Sequence, residues 1–449
     1  MSSDAADILA ELTVLAPGAA VDGKPQINVA GVVPTAQVRP STVRDLEQIV
    51  GWASRRGLAL AAVGGRTKLG VGNPPSRLDV VLDMTGLDAI IEYDPEDLVL
   101  TAQAGATIQK VQSVVNQDSL VLPLDPLSPD RATLGGVIAC ADHGPRRRQY
   151  GGVRDIVLGL KAVLPDGSLV SFGGRTLKNV AGYDVGKVLV GSLGTIGVIA
   201  EVSVRLLPLP ASEELLLIGL PELDMGRRLV ARILDSPLLP SSLELMSPAC
   251  AALLPLDQPS SSLESSYLMF IAVEGHSADV ERQVRDICVF CAELDPDSTT
   301  VHRASDIGLA PREGWAAFDD VRERALATGS GAGFRCSVPL APLWDVARAV
   351  EEHSRGNDIA ASYRMSCGTG YLEAYAAGPA ADLRAFAEGV RAEAEQQGGA
   401  LSVLHGWSAL GKDFDAWGTR RSDYDLMRAV KQKFDPEGIM NPGRFVGGL

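Results

Sequence analysis

An α+β fold with two principal domains is the class that this 449-residue sequence predicts. The length exceeds what one hydrophobic core usually holds, so two or three domains are expected. Up to about residue 210, short strands run into glycine turns. Beyond that point strands and helices alternate, which favours helices set on one side of an antiparallel sheet.

The composition excludes some classes of function. The chain is 46% hydrophobic and 22% charged, which is ordinary for an enzyme of the aqueous phase. Its net charge of −15 argues against nucleic-acid binding, which needs a basic face. The one basic block, Arg146-Arg147-Arg148, can meet a phosphate, an acidic partner or only solvent.

Targeting signals are absent from the pattern of the sequence. Residues 1–7 are acidic and no long apolar run follows them, so no signal peptide is expected. No window approaches the roughly 20 apolar residues of a membrane span. We therefore expect a cytoplasmic chain without a transmembrane segment, which would associate with a membrane only through its partners.

Six cysteines are scattered along the chain. Cys288 and Cys291 form a lone C-x-x-C within a helical pattern, with no second pair at the spacing of metal ligands. Reduced or buried thiols are the expected state. An iron–sulfur cluster would need about four thiolates, so none is expected in this chain.

The first chemical motif is a glycine turn. A buried strand at 58–63 runs into Gly64-Gly65-Arg66-Thr67-Lys68-Leu69-Gly70. Successive N–H groups in such a turn form a concavity for an anion, to which Thr67 and Lys68 would add a hydroxyl and a charge. The following Asn73-Pro74-Pro75 cannot open a helix, which excludes a Rossmann unit. A tight structural corner is the alternative interpretation.

The second motif is the stretch from Gly174 to Leu206. A polar Arg/Lys/Asn segment leads to a turn with Gly191, Gly194 and Gly197, and a β-branched strand closes the stretch. Because glycine lacks a Cβ, such a turn lets the backbone approach something flat or anionic. Alone, the pattern also fits a plain structural corner.

Several motifs in one order resemble the vanillyl-alcohol-oxidase/cresol-methylhydroxylase family of flavoproteins, most closely its bacterial glycolate-oxidase subunits. They read T-L-G-G at 133–136, R-T-L-K-N-V-A-G-Y-D at 175–184, L-V-G-S-L-G-T-I-G-V-I at 189–199 and F-D-P-E-G-I-M-N-P-G at 434–443. The resemblance implies a two-subdomain FAD-binding domain of the cresol-methylhydroxylase type and an α+β cap domain with an antiparallel sheet.

The resemblance also implies a division of the chain into four parts. These are an N-terminal arm (1–35), the FAD-binding domain (36–210), the cap or substrate domain (211–410) and a C-terminal segment that returns to the FAD domain (411–449). Two local predictions accompany it. Asp166-Gly167 is expected to form a type I′ hairpin turn. Residues 295–333 lack clear periodicity and are expected to be a long surface excursion or a lid.

FAD is the cofactor that the resemblance implies. Pyrophosphate contacts are expected from Gly64, Gly65, Arg66, Thr67, Lys68 and Leu69. Contacts along the ribityl chain and ring are expected from Pro123, Thr133, Gly135, Gly136, Gly144 and Gly151, with a backbone contact from Ile199 and His143 as a polar neighbour. Some relatives attach the flavin through a histidine in the pyrophosphate loop. Arg66 stands there in this chain, so non-covalent FAD is predicted.

No metal site is expected, because the H-x-G-D-G-N-x-H motif of the metal-dependent family members is missing. The corresponding region is 363–371. The predicted catalytic residues, which would meet a carboxylate substrate, are Arg335, Arg364, Tyr371 and His405, with Tyr363 and Lys412 as further candidates. Guanidinium groups suit a carboxylate because they donate paired hydrogen bonds.

The resemblance further implies a complex of two flavin subunits and an iron–sulfur subunit, in which the metal motif belongs to the other flavin subunit. Three functions stay open. The chain is a FAD-dependent dehydrogenase subunit for a small 2-hydroxy acid such as glycolate or D-lactate, a flavin-binding scaffold or electron relay, or a stand-alone oxidase of another hydroxy acid. A NAD-linked dehydrogenase is the weakest option, since its glycine fingerprint is lacking.

Overall fold

The computed structural model describes residues 3–175, 184–254, 266–295, 299–307, 309–326, 331–356 and 358–449. Residues 176–183 of the R-T-L-K-N-V-A-G-Y-D motif lie outside this set. The chain divides into two compact units. The first unit comprises Met1–Gly144, Gly151–Leu209 and Thr419–Leu449, and the second comprises Pro145–Tyr150 and Pro210–Gly418. No described helix is both long and apolar enough to cross a membrane.

The described helices and strands are numbered in chain order. The helices are α1 (Ser3–Leu15), α2 (Val43–Arg56), α3 (Ile108–Val115), α4 (Leu134–Cys140), α5 (Arg147–Tyr150), α6 (Val153–Ile156), α7 (Leu223–Leu234), α8 (Pro248–Ala251), α9 (Ser277–Leu294), α10 (Pro311–Leu326), α11 (Leu343–Gly356), α12 (Ala380–Gln396) and α13 (Tyr424–Phe434). Short 3₁₀ turns occupy Met84–Gly86, Asn116–Asp118, Val185–Val188, Ser305–Ile307, Trp407–Leu410 and Val446–Gly448.

The strands are β1 (Ala20–Asp22), β2 (Ala36–Arg39), β3 (Leu60–Val63), β4 (Val80–Asp83), β5 (Ile90–Asp94), β6 (Val99–Gln103), β7 (Leu120–Val121), β8 (Val157–Val163), β9 (Leu169–Gly173), β10 (Val198–Arg205), β11 (Leu207–Pro208), β12 (Ser212–Leu220), β13 (Ser242–Met246), β14 (Tyr267–Gly275), β15 (Thr300–Arg303), β16 (Gly331–Ser337), β17 (Ala360–Ser366), β18 (Tyr371–Ala377) and β19 (Ala400–His405).

The first unit contains two larger sheets, each with its own core. One has the order β1-β2-β4-β3, with β2, β4 and β3 parallel, and the other is antiparallel in the order β5-β6-β10-β8-β9. Helix α2 contributes to the core of the first sheet, and α3 and α4 contribute to that of the second. The first unit therefore has the two subdomains that were predicted.

Helix α2 illustrates how local sequence signals determine where a helix begins and ends. Thr42 caps it by accepting from the N–H of Asp45 at 3.1 Å, while the Asp45 carboxylate accepts from the N–H of Thr42 at 2.9 Å. Gly57, with φ of 62°, ends it in the left-handed conformation. The apolar residues at helical spacing are buried. A Ser/Thr N-cap, apolar residues at helical spacing and the Arg56-Gly57 end predict a helix from Val43 to Arg56, and the structure confirms it.

The hairpin between β8 and β9 has a different turn from the one predicted. Gly167 has a φ of 88°, whereas Asp166 does not have the positive φ that a type I′ turn requires of both central residues. The Leu164 carbonyl accepts from Gly167, and the N–H of Leu164 donates to Ser168 at 2.9 Å. The loop therefore spans three residues, with glycine at its left-handed position, and the type I′ prediction was wrong.

The second unit is built on one eight-stranded antiparallel sheet, in the order β15-β12-β14-β13-β17-β18-β16-β19. Helices α7, α9, α11 and α12 bury one face of this sheet in the largest hydrophobic core among the described residues. The opposite face is covered in part by α8 and α10. This architecture confirms the predicted α+β cap with an antiparallel sheet.

Residues 295–333 were predicted to be a long surface excursion or a lid, but their described part includes a strand and a helix that pack on the sheet. Strand β15 pairs with β12 at the edge of the sheet, and α10 buries Phe318 and Val321 against it. Phe318 meets Phe270 edge to face, with ring centroids 5.3 Å apart. The signal was weak because polar residues surround these few apolar anchors.

A buried ion pair fixes the C-terminal tail of the first unit. The Lys431 ammonium donates to the Asp435 carboxylate at 2.6 Å and to the carbonyls of Thr195 (2.6 Å) and Met440 (2.9 Å). Asp435 also accepts from the N–H groups of Ile439 and Met440. Burial lowers the pKa of Lys431, and the charge of Asp435 opposes this shift. The tail is thereby tied to the turn at 191–197.

We predict that Lys431→Ala lowers the free energy of unfolding by about 3–5 kcal/mol, because it leaves the Asp435 carboxylate buried without its cation. Urea denaturation of the purified chain measures the change. Lys433→Ala is the matched control, since Lys433 is exposed on the same helix and its removal should cost no more than about 0.5 kcal/mol. Equal losses in the two variants would contradict this account.

Candidate functional site

An open cleft lies in the first unit. Its walls come from the glycine turn after β3, from α4, from the turn at 191–197 with the start of β10, and from the tail. Ten predicted cofactor residues line it: Gly64, Gly65, Arg66, Thr67, Lys68, Leu69, Thr133, Gly135, Gly136 and Ile199. Separate motifs of the sequence thus converge on one cleft.

Four predicted cofactor residues do not line this cleft: Pro123, His143, Gly144 and Gly151. The N–H of Gly144 donates to the Asp125 carboxylate at 2.9 Å, and the His143 ring lies 2.7 Å from the Ala141 carbonyl. These contacts connect the segments that follow α4 and β7. Flavin contacts of these four residues stay a prediction.

Two glycines of the cleft are needed for different reasons. A Cβ at Gly65 would lie 1.6 Å from the Arg131 carbonyl oxygen, so close packing within the protein requires glycine there. Gly194 has a φ of 69°, and no described atom lies within 4 Å of the position of its Cβ. Open space therefore lies over the turn at Gly194, whereas Gly65 is packed against protein.

The charge of Lys68 is compensated inside the cleft. Its ammonium lies 2.8 Å from the Asp142 carboxylate, and both side chains are buried. The two residues line the cleft together. Lys68 was predicted to bring a positive charge toward an anion. In the structure it brings an ion pair, whose net attraction for an anion is weaker than that of a lone cation.

The tail supplies two cleft residues that the sequence analysis did not single out. The Asn441 amide donates to the Leu193 carbonyl at 2.8 Å. The Arg444 guanidinium donates to the carbonyls of Leu69 at 2.8 Å and Asn73 at 3.3 Å. Burial lowers the pKa of Arg444 to about 10. Asn441 lies within the tail motif already recognised at 434–443, and Arg444 directly follows that motif.

Buried polar atoms at the cleft fit a bound polar group such as a dinucleotide. Asn441 Oδ1 and Ser192 Oγ are buried and have no hydrogen-bonding partner among the described residues. Asn441 lines the cleft, and Ser192 directly precedes the lining residue Leu193. Buried polar groups without partners are rare, so these atoms are suited to a ligand or an ordered water. The residues present therefore fit FAD.

The second unit carries a charged cluster on the sheet face opposite its four large helices. We call this cluster the polar sheet face: Arg335, Arg364, Tyr371, Glu373 and Tyr375 on β16, β17 and β18. The antiparallel register aligns Arg335, Glu373 and Arg364 in one row across these three strands. Two arginines and one tyrosine that were predicted from the sequence are thus neighbours.

Glu373 is the centre of this cluster. Arg335 donates to its Oε1 through Nε at 3.2 Å and Nη2 at 2.7 Å. Arg364 donates to its Oε2 through Nε at 3.2 Å and Nη2 at 2.9 Å, and Tyr375 adds its hydroxyl at 2.9 Å. Glu373 was missed because a glutamate on a strand carries no motif.

Arg364 is buried and its guanidinium is engaged on several sides. Besides Glu373 it donates to the Phe318 carbonyl at 3.2 Å, and it lies 3.6 Å from the Asp319 carboxylate. Its guanidinium stands 4.7 Å from the centre of the Phe318 ring. The carboxylate that Arg364 holds is therefore the chain's own.

Tyr371 meets two guanidinium groups. Arg147 donates to its hydroxyl, with its guanidinium carbon 4.7 Å from the ring centroid, and that of Arg335 lies 5.6 Å from the same centroid. Because a guanidinium has no acceptor atom, the Tyr371 oxygen accepts here and its own proton is directed elsewhere. Arg147 was not a candidate, although its arginine triplet was noticed.

The other two arginines of the triplet also bind groups of the second unit. Arg146 lies 2.8 Å from Glu213 and 3.9 Å from Glu274, and Arg148 donates to the Pro240 carbonyl at 3.0 Å. Burial lowers the pKa of Arg148. The triplet therefore anchors the segment 145–150 on this unit.

Three further candidates, His405, Tyr363 and Lys412, lie outside the row of Arg335, Glu373 and Arg364. His405 is exposed at the end of the edge strand β19, and its pKa is lowered by desolvation and by the charge of Arg322. Tyr363 is buried on the helix-covered face, where its hydroxyl donates to Glu351 at 2.8 Å. Lys412 is exposed. Within the described part of the chain, no group of three or more His, Cys, Asp or Glu side chains could hold a metal ion.

Comparison with known proteins places this geometry in a family. A model described as "FAD binding domain" matches residues 34–173, and one described as "FAD linked oxidases, C-terminal domain" matches residues 209–445. The glycolate oxidase subunit GlcD of Bacillus subtilis (strain 168) is 28% identical over 440 residues, with 92% of this chain and 89% of that protein covered. A D-2-hydroxyglutarate dehydrogenase of Xanthomonas citri is 27% identical, with 92% and 89% covered.

The fold has solved counterparts as well. The structure of p-cresol methylhydroxylase with substrate bound superposes with a TM-score of 0.77 at 14% identity, covering 99% of this chain and 97% of that one. This likeness confirms the predicted cresol-methylhydroxylase type of fold. Since the C-terminal family model alone spans more than half of the chain, the chain belongs to the FAD-linked oxidases: it is an oxidoreductase, and FAD is its cofactor.

Proposed function

We propose that this chain is the FAD-binding subunit of a dehydrogenase for a small 2-hydroxy acid, glycolate or D-lactate. The proposal rests on the polar sheet face of the second unit. There the guanidinium groups of Arg335 and Arg147 lie over the Tyr371 ring, and Arg147 also donates to the Tyr371 hydroxyl. Guanidinium groups beside a hydroxyl suit a carboxylate with an adjacent alcohol. The names of the relatives in Bacillus and Xanthomonas, which refer to 2-hydroxy acids, support this class.

For the cofactor, we assign the cleft of the first unit. When bound, the flavin ring accepts the hydride, and the protein supplies orientation and charge. The turn at 64–69 would hold the pyrophosphate, with Thr133, Gly135, Gly136 and Ile199 along the rest. Asn441 and Arg444 would join them, because Asn441 keeps an unused acceptor at the cleft. Pro123, His143, Gly144 and Gly151 are proposed as further contacts, although they do not line the cleft.

On the substrate side, Arg335 and Tyr371 would orient the carboxylate and the hydroxyl of the acid. Arg364 acts through Glu373, which it holds in place, rather than on the substrate itself. His405 is the proposed proton acceptor. Its lowered pKa keeps the imidazole neutral at pH 7, the state in which it accepts a proton.

For the partners, we propose a second flavin subunit and an iron–sulfur subunit, to which electrons pass onward from this chain. The relative in Bacillus is itself named as a subunit. The acidic chain, with its net charge of −15, would work in the cytoplasm and reach a membrane only through these partners.

A flavin-binding scaffold or electron relay is the second candidate. It is favoured by the internal pairing of Glu373 with Arg335 and Arg364, which occupies groups that a substrate would use. A stand-alone oxidase of another hydroxy acid is the third. It differs from both because it would form peroxide from dioxygen.

We predict that glycolate or D-lactate bleaches the visible flavin band of the purified chain under anaerobic conditions. Arg335→Met should slow this reduction by roughly a hundredfold, because it removes a donor to the carboxylate. Arg384→Met is the control, as Arg384 lies on α12, the helix-covered side of the sheet. A yellow protein that no 2-hydroxy acid bleaches would instead support the scaffold, and peroxide formation in air would support the oxidase.

We predict that acid or heat denaturation releases all of the flavin into solution, because no covalent bond is expected between FAD and the protein. The loop carries Arg66 where a histidine would attach the ring, and His143 lies outside the cleft lining. Absorbance of the supernatant after precipitation measures the release. Flavin that stays with the precipitated polypeptide would contradict the prediction.

We predict that FAD protects Cys140 from alkylation by iodoacetamide. Cys140 is partly exposed and lines the cleft, so bound FAD should slow its labelling by roughly tenfold relative to apoprotein. Cys288, partly exposed in the second unit, is the control and should react equally in both forms. Burial raises the pKa of Cys250 and of Cys336 to about 12, so these thiols should stay unlabelled. Equal labelling of Cys140 with and without FAD would place the cofactor elsewhere.

A further inference from the structure

We infer that Glu373 is a specificity-determining residue, which restricts the substrate to 2-hydroxy acids with a single carboxylate. The inference rests on the proposed function and deepens it. The relatives include both a protein named for a monocarboxylate, glycolate, and one named for a dicarboxylate, D-2-hydroxyglutarate. The chemistry of the polar sheet face distinguishes these two classes.

The Glu373 carboxylate already engages the donors that a second substrate carboxylate would need. Its Oε1 receives the fork of Arg335, and its Oε2 receives the fork of Arg364 and the Tyr375 hydroxyl. Five donors on one carboxylate fill its acceptor sites. Glu373 is also buried, which leaves it little freedom to move aside.

The position in the sheet explains why this carboxylate matters for the length of the substrate. Tyr371 and Glu373 are two residues apart on β18, so both lie on one face, about 7 Å apart along the strand. The register aligns Tyr371 with Ser337 and Ser366, and aligns Glu373 with Arg335 and Arg364. An acid held at Tyr371 would therefore extend its far end toward the Arg335–Glu373–Arg364 row.

The negative charge of Glu373 then selects among the acids. A short acid such as glycolate or D-lactate has no second carboxylate that could reach Glu373. A five-carbon diacid would bring its second carboxylate against Glu373, and like charges at close range in a partly buried site repel strongly. Arg364 cannot offset this, because its guanidinium already binds Glu373, the Phe318 carbonyl and Asp319.

The test compares two acids of equal length on the FAD-loaded chain. D-2-hydroxyvalerate and D-2-hydroxyglutarate both have five carbons and differ by the distal carboxylate. We expect kcat/KM for flavin reduction to be roughly tenfold or more higher with D-2-hydroxyvalerate, and the difference to lie in KM. A higher value for D-2-hydroxyglutarate, or equal values for both, would overturn the inference while the proposed function stands.

The variant Glu373→Gln removes the charge and keeps the shape. It should reduce the selectivity ratio between the two acids by roughly tenfold. Because the ratio cancels general damage to the protein, a purely structural role of Glu373 would leave it unchanged, and that result would overturn the inference. Glu352→Gln, an exposed charge on α11, is the matched control and should leave the ratio as in the wild type.

Two further outcomes are distinguishable. If Glu373→Gln does not fold, the comparison of the two acids on the wild-type chain still decides the inference, since it requires no variant. If neither these acids nor glycolate and D-lactate reduce the flavin, the proposed function itself fails and the inference falls with it.

Discussion

The buried contact of Lys431 with Asp435 is the constraint on which the cleft of the first unit depends. A charge removed from water is tolerated only when it is paired and its remaining hydrogen bonds are made. Lys431 meets this condition with one carboxylate and two carbonyls, one of them from Thr195 in the turn at 191–197. The same tail forms a parallel bridge with Leu60 at the start of β3. A segment at the end of the chain thus fixes two walls of a cleft built from its first half.

In the second unit, buried charges are likewise paired with one another, here across neighbouring strands of a sheet. Arg335, Glu373 and Arg364 form an alternating row of charges because antiparallel pairing sets them opposite one another on three adjacent strands. Each charge is compensated by its neighbour, so the row is stable at low exposure. This arrangement holds the cluster in one geometry, which the proposed discrimination among small acids would require.

The features that could be predicted from the sequence are those that depend on a local pattern of residues. The glycine turn at 64–69 and the T-L-G-G element at 133–136 were predicted as cofactor contacts and line one cleft. Arg147 and Arg444 were missed because their partners lie far away along the chain, and Glu373 was missed because a glutamate on a strand carries no motif. Arg147 and Tyr371 are separated by 224 residues. Helix α10 was missed for a different reason: its few apolar anchors stand among charged residues, so its periodicity was faint.

The path of the chain has a consequence for modular engineering. The backbone passes from one unit to the other four times, after residues 144, 150, 209 and 418. A cap exchanged by recombination at 209 and 418 alone would arrive without the hexapeptide 145–150, whose three arginines bind Glu213, Tyr371 and Pro240. The second unit is therefore discontinuous in sequence. A domain exchange must include residues 145–150 together with residues 210–418.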